Sequence, residues 1–119
     1  MSRYKKSFGD KGEDLAVNYL KNLGYEIVTR NYRFGHGEID IVAKDKDTLV
    51  FVEVKTRENF NFGPPELAVT KRKQHQIKKI SEAYIHENNI SGTECRIDVI
   101  AILMEKNKKP EINHIVNAF

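Results

Sequence analysis

Between Gly37 and Lys55 the chain reads GEIDIVAKDKDTLVFVEVK, two apolar runs around a short polar stretch. Ile, Val, Leu and Phe at this density favour extended backbone. Residues 38–43 and 49–55 are therefore expected as two strands of a hairpin joined around Lys44 to Thr48. Runs this apolar suit interior strands rather than wet edges. Yet Glu38, Asp40, Glu53 and Lys55 stand inside them. Charge taken out of water is costly unless a partner is supplied, so the identity of that partner bears on both fold and function.

The flanking segments complete an α/β pattern. From Asp10 to Leu23 the residues Leu15, Ala16, Tyr19, Leu20 and Leu23 recur at helical spacing, and Gly24 is placed to cap the helix. YEIVTRNYR, from Tyr25, is rich in β-branched and aromatic residues and reads as a first strand. Gly63, Pro64 and Pro65 predict a break at residues 61–65, since proline neither continues a strand nor fits mid-helix. A long helix follows, with Thr70 as N-cap, Ile77, Ile80 and Tyr84 on its inner face, and Asn88, Asn89 and Gly92 at its end. Lys73 lies one turn before Ile77 on the same face. The apolar run Glu94–Leu103 suits a central strand, KNKKP an exposed turn, and INHIV a fifth strand at an edge. The order α-β-β-β-α-β-β makes an α/β fold with a mixed central sheet, because the hairpin is antiparallel and the long helix makes a crossover.

At 119 residues the chain has the usual size of a single domain, and 39% hydrophobic residues can build a core without cross-links. One cysteine, Cys95, excludes a disulfide framework and a multi-cysteine zinc site, which fits a reducing, cytoplasmic setting. The opening MSRYKKSFGDKGED lacks the apolar segment of a signal peptide, and no run approaches the roughly 20 apolar residues of a membrane span. Net charge is only +3, but Lys71, Arg72, Lys73, Lys78 and Lys79 crowd into TKRKQHQIKK. Such a cluster either grips a polyanion such as nucleic acid or forms a solvated helix face.

Alternation puts Glu38 with Asp40, and Glu53 with Lys55, on shared strand faces. A turn of even length centred between Lys46 and Asp47 sets Asp40 opposite Glu53 and Glu38 opposite Lys55, whereas an odd turn destroys both pairings. Carboxylates so placed have β-carbons roughly 4.5–5.5 Å apart and repel. A divalent cation removes the repulsion. Magnesium takes one or two protein carboxylates at roughly 2.0–2.1 Å and fills its other positions with water and phosphate oxygens. Lys55 would then reach a phosphate oxygen or the attacking water, which suits metal-assisted hydrolysis of a phosphodiester. The blander account is a set of cross-strand ion pairs, Glu38 with Lys55 and Asp40 with another base.

Asp40, followed after twelve residues by Glu53-Val54-Lys55, resembles the D…(D/E)-x-K signature of the PD-(D/E)XK nuclease superfamily, with Ile39 where the superfamily name has proline. A helical first segment bearing Glu13 resembles its Holliday-junction resolvase branch. The ordered blocks GEDLAVNYL, GYEIVTRNYR, GEIDIVA, LVFVEVKTR, FGPPELAV and RIDVIAI, from Gly12 to Ile102, resemble the YraN-type family of small bacterial proteins, described as resolvase-like endonucleases by similarity. The resemblance implies a restriction-endonuclease-like αβββαβ core. It implies Asp40 and Glu53 as metal ligands, Lys55 as the catalytic lysine and Glu13 as an added ligand. It further implies Mg2+ or Mn2+ as cofactor, branched or structured DNA as partner, and a homodimer, since a junction has two scissile strands.

Other residues leave choices open. Glu38 is either a second ligand or the ion-pair partner of Lys55. Arg30, Asn31 and Arg33, interleaved with Tyr32 and Phe34, either grip a nucleic-acid backbone and stack on bases or simply finish a strand in solvent. Lys71, Arg72, Lys73 and Lys78 join them as candidate nucleic-acid contacts, with Lys73 and Gln74 alternatively an exposed helix turn. His36 sits in a Gly-His-Gly turn beside the acidic residues, while His75, His86 and His114 have no metal-ligand spacing. Arg96 and Asp98 share a strand face and are expected as a buried ion pair. Neither a P-loop nor a Ser-His-Asp set is present. The leading expectation is a metal-dependent DNA endonuclease. Its rivals are a non-catalytic nucleic-acid-binding module on the same fold and an interaction protein that has lost nucleic acid.

Overall fold

The computed structural model describes residues 3–59 and 69–119, with side chains from Phe8 onward; the break expected at residues 61–65 lies outside them. Helix α1 (Arg3–Asn22) begins before the apolar periodicity does, because Arg and Lys favour helix even without a buried face. It ends as expected at Gly24. The positive φ of 91° there lets Gly24 N–H donate to Lys21 O at 2.9 Å and Tyr25 N–H to Leu20 O at 3.0 Å, satisfying carbonyls the helix leaves open.

Strands β1 (Glu26–Phe34), β2 (Gly37–Asp45) and β3 (Thr48–Arg57) follow, then α2 (Lys71–Glu87), β4 (Cys95–Leu103) and β5 (Glu111–Ile115). The five-stranded sheet has the order β1-β2-β3-β4-β5. All neighbours are antiparallel except β3 and β4, which run parallel because α2 carries the chain back across the sheet. β4 is interior, as its apolar run requires, although β3 is the middle strand. β5 lies at an edge as expected. Thr70 caps α2, its hydroxyl accepting Lys73 N–H at 3.2 Å.

Each helix covers one face of the sheet. Ala16, Val17 and Leu20 of α1 pack with Ile41, Ala43, Val50, Val52, Ile100 and Ile102. Ile77, Ile80 and Tyr84 of α2 pack with Ile39, Val42, Leu49, Phe51 and Ile97. Fully burying each such side chain contributes about 1.5–3 kcal/mol. Gly12 lets α1 approach β3 closely, since a β-carbon there would collide with the Thr56 side chain. Among the described residues no helix is long and apolar enough to cross a membrane.

The expected ion pair of β4 is present and belongs to a larger network. Asp98 is wholly buried; Arg96 Nε lies 3.0 Å from its Oδ1 and His114 Nε2 2.7 Å from its Oδ2. Asn117 N–H donates to it at 3.0 Å, while Arg96 also holds Asp45 at 3.1 Å and Tyr25 Oη at 2.6 Å.

The hairpin turn is Lys46-Asp47, two residues between Asp45 and Thr48. Its even length produces the expected register: Asp45 pairs with Thr48, Lys44 with Leu49, and so on to Ile41 with Val52. Beyond that point β2 changes character. Ile41 joins the α1 cluster, but Ile39 joins the α2 cluster with Val42, so strict alternation is interrupted at Asp40. On the neighbouring strand Asn31 has a positive φ of 54°. The two irregularities lie side by side, and the charged residues collect around them.

Candidate metal centre

Backbone pairing of β2 and β3 ends at Ile41 and Val52, one step short of Asp40 and Glu53. Asp40 instead uses its carboxylate on the facing strand, Oδ2 accepting the N–H of Val54 at 2.7 Å. Glu13 comes from α1, brought to the sheet by the Gly12–Thr56 contact. Single oxygens of Glu13, Glu38 and Asp40 all lie within 4.8 Å of one another.

Glu53 is not one of that trio; its Oε1 lies 3.5 Å from Lys55 Nζ and 3.8 Å from Lys73 Nζ. Its side chain is only 5% exposed. The other oxygen, Oε2, is buried and has no hydrogen-bond partner among the described residues. An unpartnered buried carboxylate oxygen costs stability.

The expected pairing of Glu38 with Lys55 does not form. With the β2–β3 ladder ended, Glu38 is paired across β1 with Arg33, whose Nε lies 3.2 Å from its Oε2. Lys55 turns to Glu53. Lys73 faces the strands, as its place before Ile77 predicts, and is not merely an exposed turn. Arg30 is committed to acids of α1, 2.9 Å from Asp14 and 3.6 Å from Glu13. Asn31 bonds Glu13 and Glu38 through one amide. Lys71 and Arg72 are exposed at the start of α2. Lys78 is exposed farther along it and lines a cleft with Ser81 and Phe119. His36 is exposed in the β1–β2 turn. Sequence reasoning missed the Asn31 bridge; its one signal was an asparagine inside a strand, where asparagine is depleted.

The electrostatics are those of acids held close without enough positive charge. Burial, reinforced by the charge of Glu53, pushes the Asp40 carboxyl up to about 8. Burial likewise raises Glu53, against the pull of Lys73 and Lys55, and raises Glu13, against the Asn31 hydrogen bond and Arg30. An all-oxygen donor set with a spare buried carboxylate oxygen fits a hard divalent cation such as Mg2+ or Mn2+.

A pH dependence follows. Asp40 binds its proton more tightly folded than unfolded, so its contribution to stability is full below the unfolded value near 4 and is lost as pH rises through about 8. Glu13 and Glu53 shift the same way. Thermal melts in EDTA should therefore show a midpoint falling from pH 5 to pH 8, and Asp40→Asn should flatten the slope. A midpoint independent of pH in both proteins would contradict this placement of Asp40.

Fold and site together define a mixed α/β protein with an acidic, lysine-flanked candidate metal centre at the open end of the β2–β3 hairpin, to which α1 adds Glu13 and α2 adds Lys73. The chain belongs to the uncharacterised protein family UPF0102, whose model matches residues 12–102, the span over which the sequence blocks resemble the YraN-type proteins. A UPF0102 protein of Trichlorobacter lovleyi is 50% identical over 115 residues, covering 96% of this chain and 91% of its own. One from Geobacter metallireducens is 50% identical over 119 residues, 100% of this chain and 97% of its own. One from Caldicellulosiruptor saccharolyticus is 44% identical over 116 residues, 97% and 98% respectively.

Proposed function

We propose that this chain is a Mg2+- or Mn2+-dependent DNA endonuclease of the resolvase-like PD-(D/E)XK type, a single nuclease-like domain acting in the cytoplasm on branched or structured DNA as a homodimer. The observation that carries the reading is the convergence of Asp40, Glu53 and Lys55 at the open end of the β2–β3 ladder, with an acidic trio beside a buried, unpartnered oxygen. The α-β-β-β-α-β order supports a restriction-endonuclease-like core.

Asp40, Glu13, Glu38 and the spare oxygen of Glu53 would hold the cation. Bound there, it would supply Lewis-acid stabilisation of charge on the phosphate and make water more acidic. Lys55 and Lys73 both lie beside Glu53 and are partly exposed, so their ammonium groups would hold phosphate oxygens and offset the charge that develops during displacement. Lys71 and Arg72 at the start of α2, Lys78 farther on, and Arg30 and Arg33 at the rim would contact the DNA backbone on either side, whereas the amide of Asn31 is already engaged by Glu13 and Glu38.

The test is cleavage of duplex, forked, single-stranded and four-way-junction DNA with Mg2+ or Mn2+, wild type beside Asp40→Ala. Cleavage by wild type alone is expected. Equal cleavage by both would place the activity elsewhere or in a contaminant. No cleavage by either, with salt-sensitive DNA binding retained, would favour a non-catalytic binding module.

A further inference from the structure

We propose that Asn31 is a positioning residue for the cation site, its side-chain amide drawing Glu13 and Glu38 together so that they face the cation with Asp40. This rests on the metal reading above. Asn31 Nδ2 lies 3.1 and 3.3 Å from the two oxygens of Glu13 and 3.0 Å from Oε1 of Glu38. An amide nitrogen carries two hydrogens, so one serves each carboxylate. Because the amide is neutral, it gathers two acids without cancelling their charge; a lysine there would itself take the place of the cation. Arg30 and Arg33 approach the same acids, at 3.6 Å from Glu13 Oε1 and 3.2 Å from Glu38 Oε2.

The backbone is shaped for this bridge. Arg30 pairs with Ile41 and Tyr32 with Ile39, which leaves Asn31 across from Asp40. A φ of 54° in mid-strand is one that asparagine, unlike most residues, accepts at low cost. Asn31 is exposed, so its bonds are not needed to satisfy a buried core. Independently, Glu53, whose charge bears on Asp40, has a buried oxygen with no hydrogen-bond partner among the described residues, a donor atom still open to a ligand.

The experiment is calorimetric titration of MnCl2 into the full-length chain, for wild type, Asp40→Asn, Asn31→Gly, Glu38→Gln and the Asn31→Gly/Glu38→Gln double variant. Glycine accepts the left-handed backbone, so Asn31→Gly removes the amide and keeps the fold, which a melt in EDTA verifies. Saturable Mn2+ binding by wild type, lost in Asp40→Asn, is expected. Asn31→Gly should weaken binding about 10- to 100-fold, the usual cost of losing a residue that orients a ligand. That loss should shrink in the Glu38→Gln background, because the two residues act together. Wild-type affinity in Asn31→Gly, or losses that simply add in the double variant, would overturn the positioning role and leave the metal reading intact. No saturable binding by wild type would overturn both.

Discussion

Glu53→Gln is expected to melt above wild type in EDTA while losing DNA cleavage by on the order of 10²–10³-fold or more. Both halves come from the same carboxylate. Burial is the largest influence on Glu53 and raises its carboxyl even though Lys73 and Lys55 pull the other way, so its surroundings disfavour the charge on balance. The two lysine contacts, at 3.5 and 3.8 Å from side chains 27% and 30% exposed, are of the kind that contributes little. A neutral amide of the same shape also relieves Asp40 of the neighbour that reinforces its burial. Cleavage should be lost because the amide carries no charge for a cation and offers its oxygen in competition with its own N–H groups. A lower melting midpoint would mean that the lysine pairs outweigh the repulsion. Undiminished cleavage would remove Glu53 from the site.

Asp98→Ala should have the opposite character, costing about 3–5 kcal/mol of stability, as when one partner of a buried pair is removed, and sparing the hairpin end of the sheet. Burial is the largest influence on Asp98 and would raise its carboxyl, but His114, Arg96 and the Asn117 N–H together hold it below the usual range. The acid is therefore charged and satisfied. Its stabilisation is present above the unfolded value near 4 and lost as pH falls below it, the reverse of Asp40. Arg96 keeps Asp45 and Tyr25 as partners in the variant, which favours the lower end of the range. The His114 ring keeps only Tyr19 as a hydrogen-bond partner among the described residues and the Asn117 N–H loses its acceptor, so amide exchange should accelerate in β5 and the residues after it. Urea denaturation and hydrogen exchange measure both effects; unchanged exchange at residues 111–117 would show that Asp98 does not tie down the edge strand.

These two acids also show what the sequence could and could not disclose. Asp98 was legible as a structural residue because Arg96 lies two positions away on the same face of an apolar strand. Their further partners, His114 on Asp98 and Tyr25 on Arg96, were not, since they arrive from β5 and from the turn between α1 and β1, and no local pattern encodes that meeting. The hairpin register was legible as far as Ile41 opposite Val52, because a two-residue turn fixes it; Asp40 and Glu53 fall one step beyond the end of that ladder. The pairing of Glu38 with Lys55 failed for a reason that alternation omits: the ladder ends before those residues, and β1 supplies a nearer cation in Arg33. Lys73 was legible only as a choice between facing the strands, from its distance to Ile77 along α2, and an exposed turn, while the bridge at Asn31 depends on a left-handed backbone that its position between two arginines does not announce.

Gly12 does no chemistry, yet it is the immediate neighbour of Glu13, and its missing side chain is what admits Thr56. Helix α1 thus rests on β3 at a fulcrum one residue from a candidate metal donor. Any group added at the fulcrum must lift the helix, and the carboxylate of Glu13 is carried with it. Constellations of this kind tolerate displacement of only about 0.5 Å, which is less than the bulk of a methyl group. The tolerance of the acidic cluster is therefore written into an uncharged packing contact, where a search for charged residues would not look.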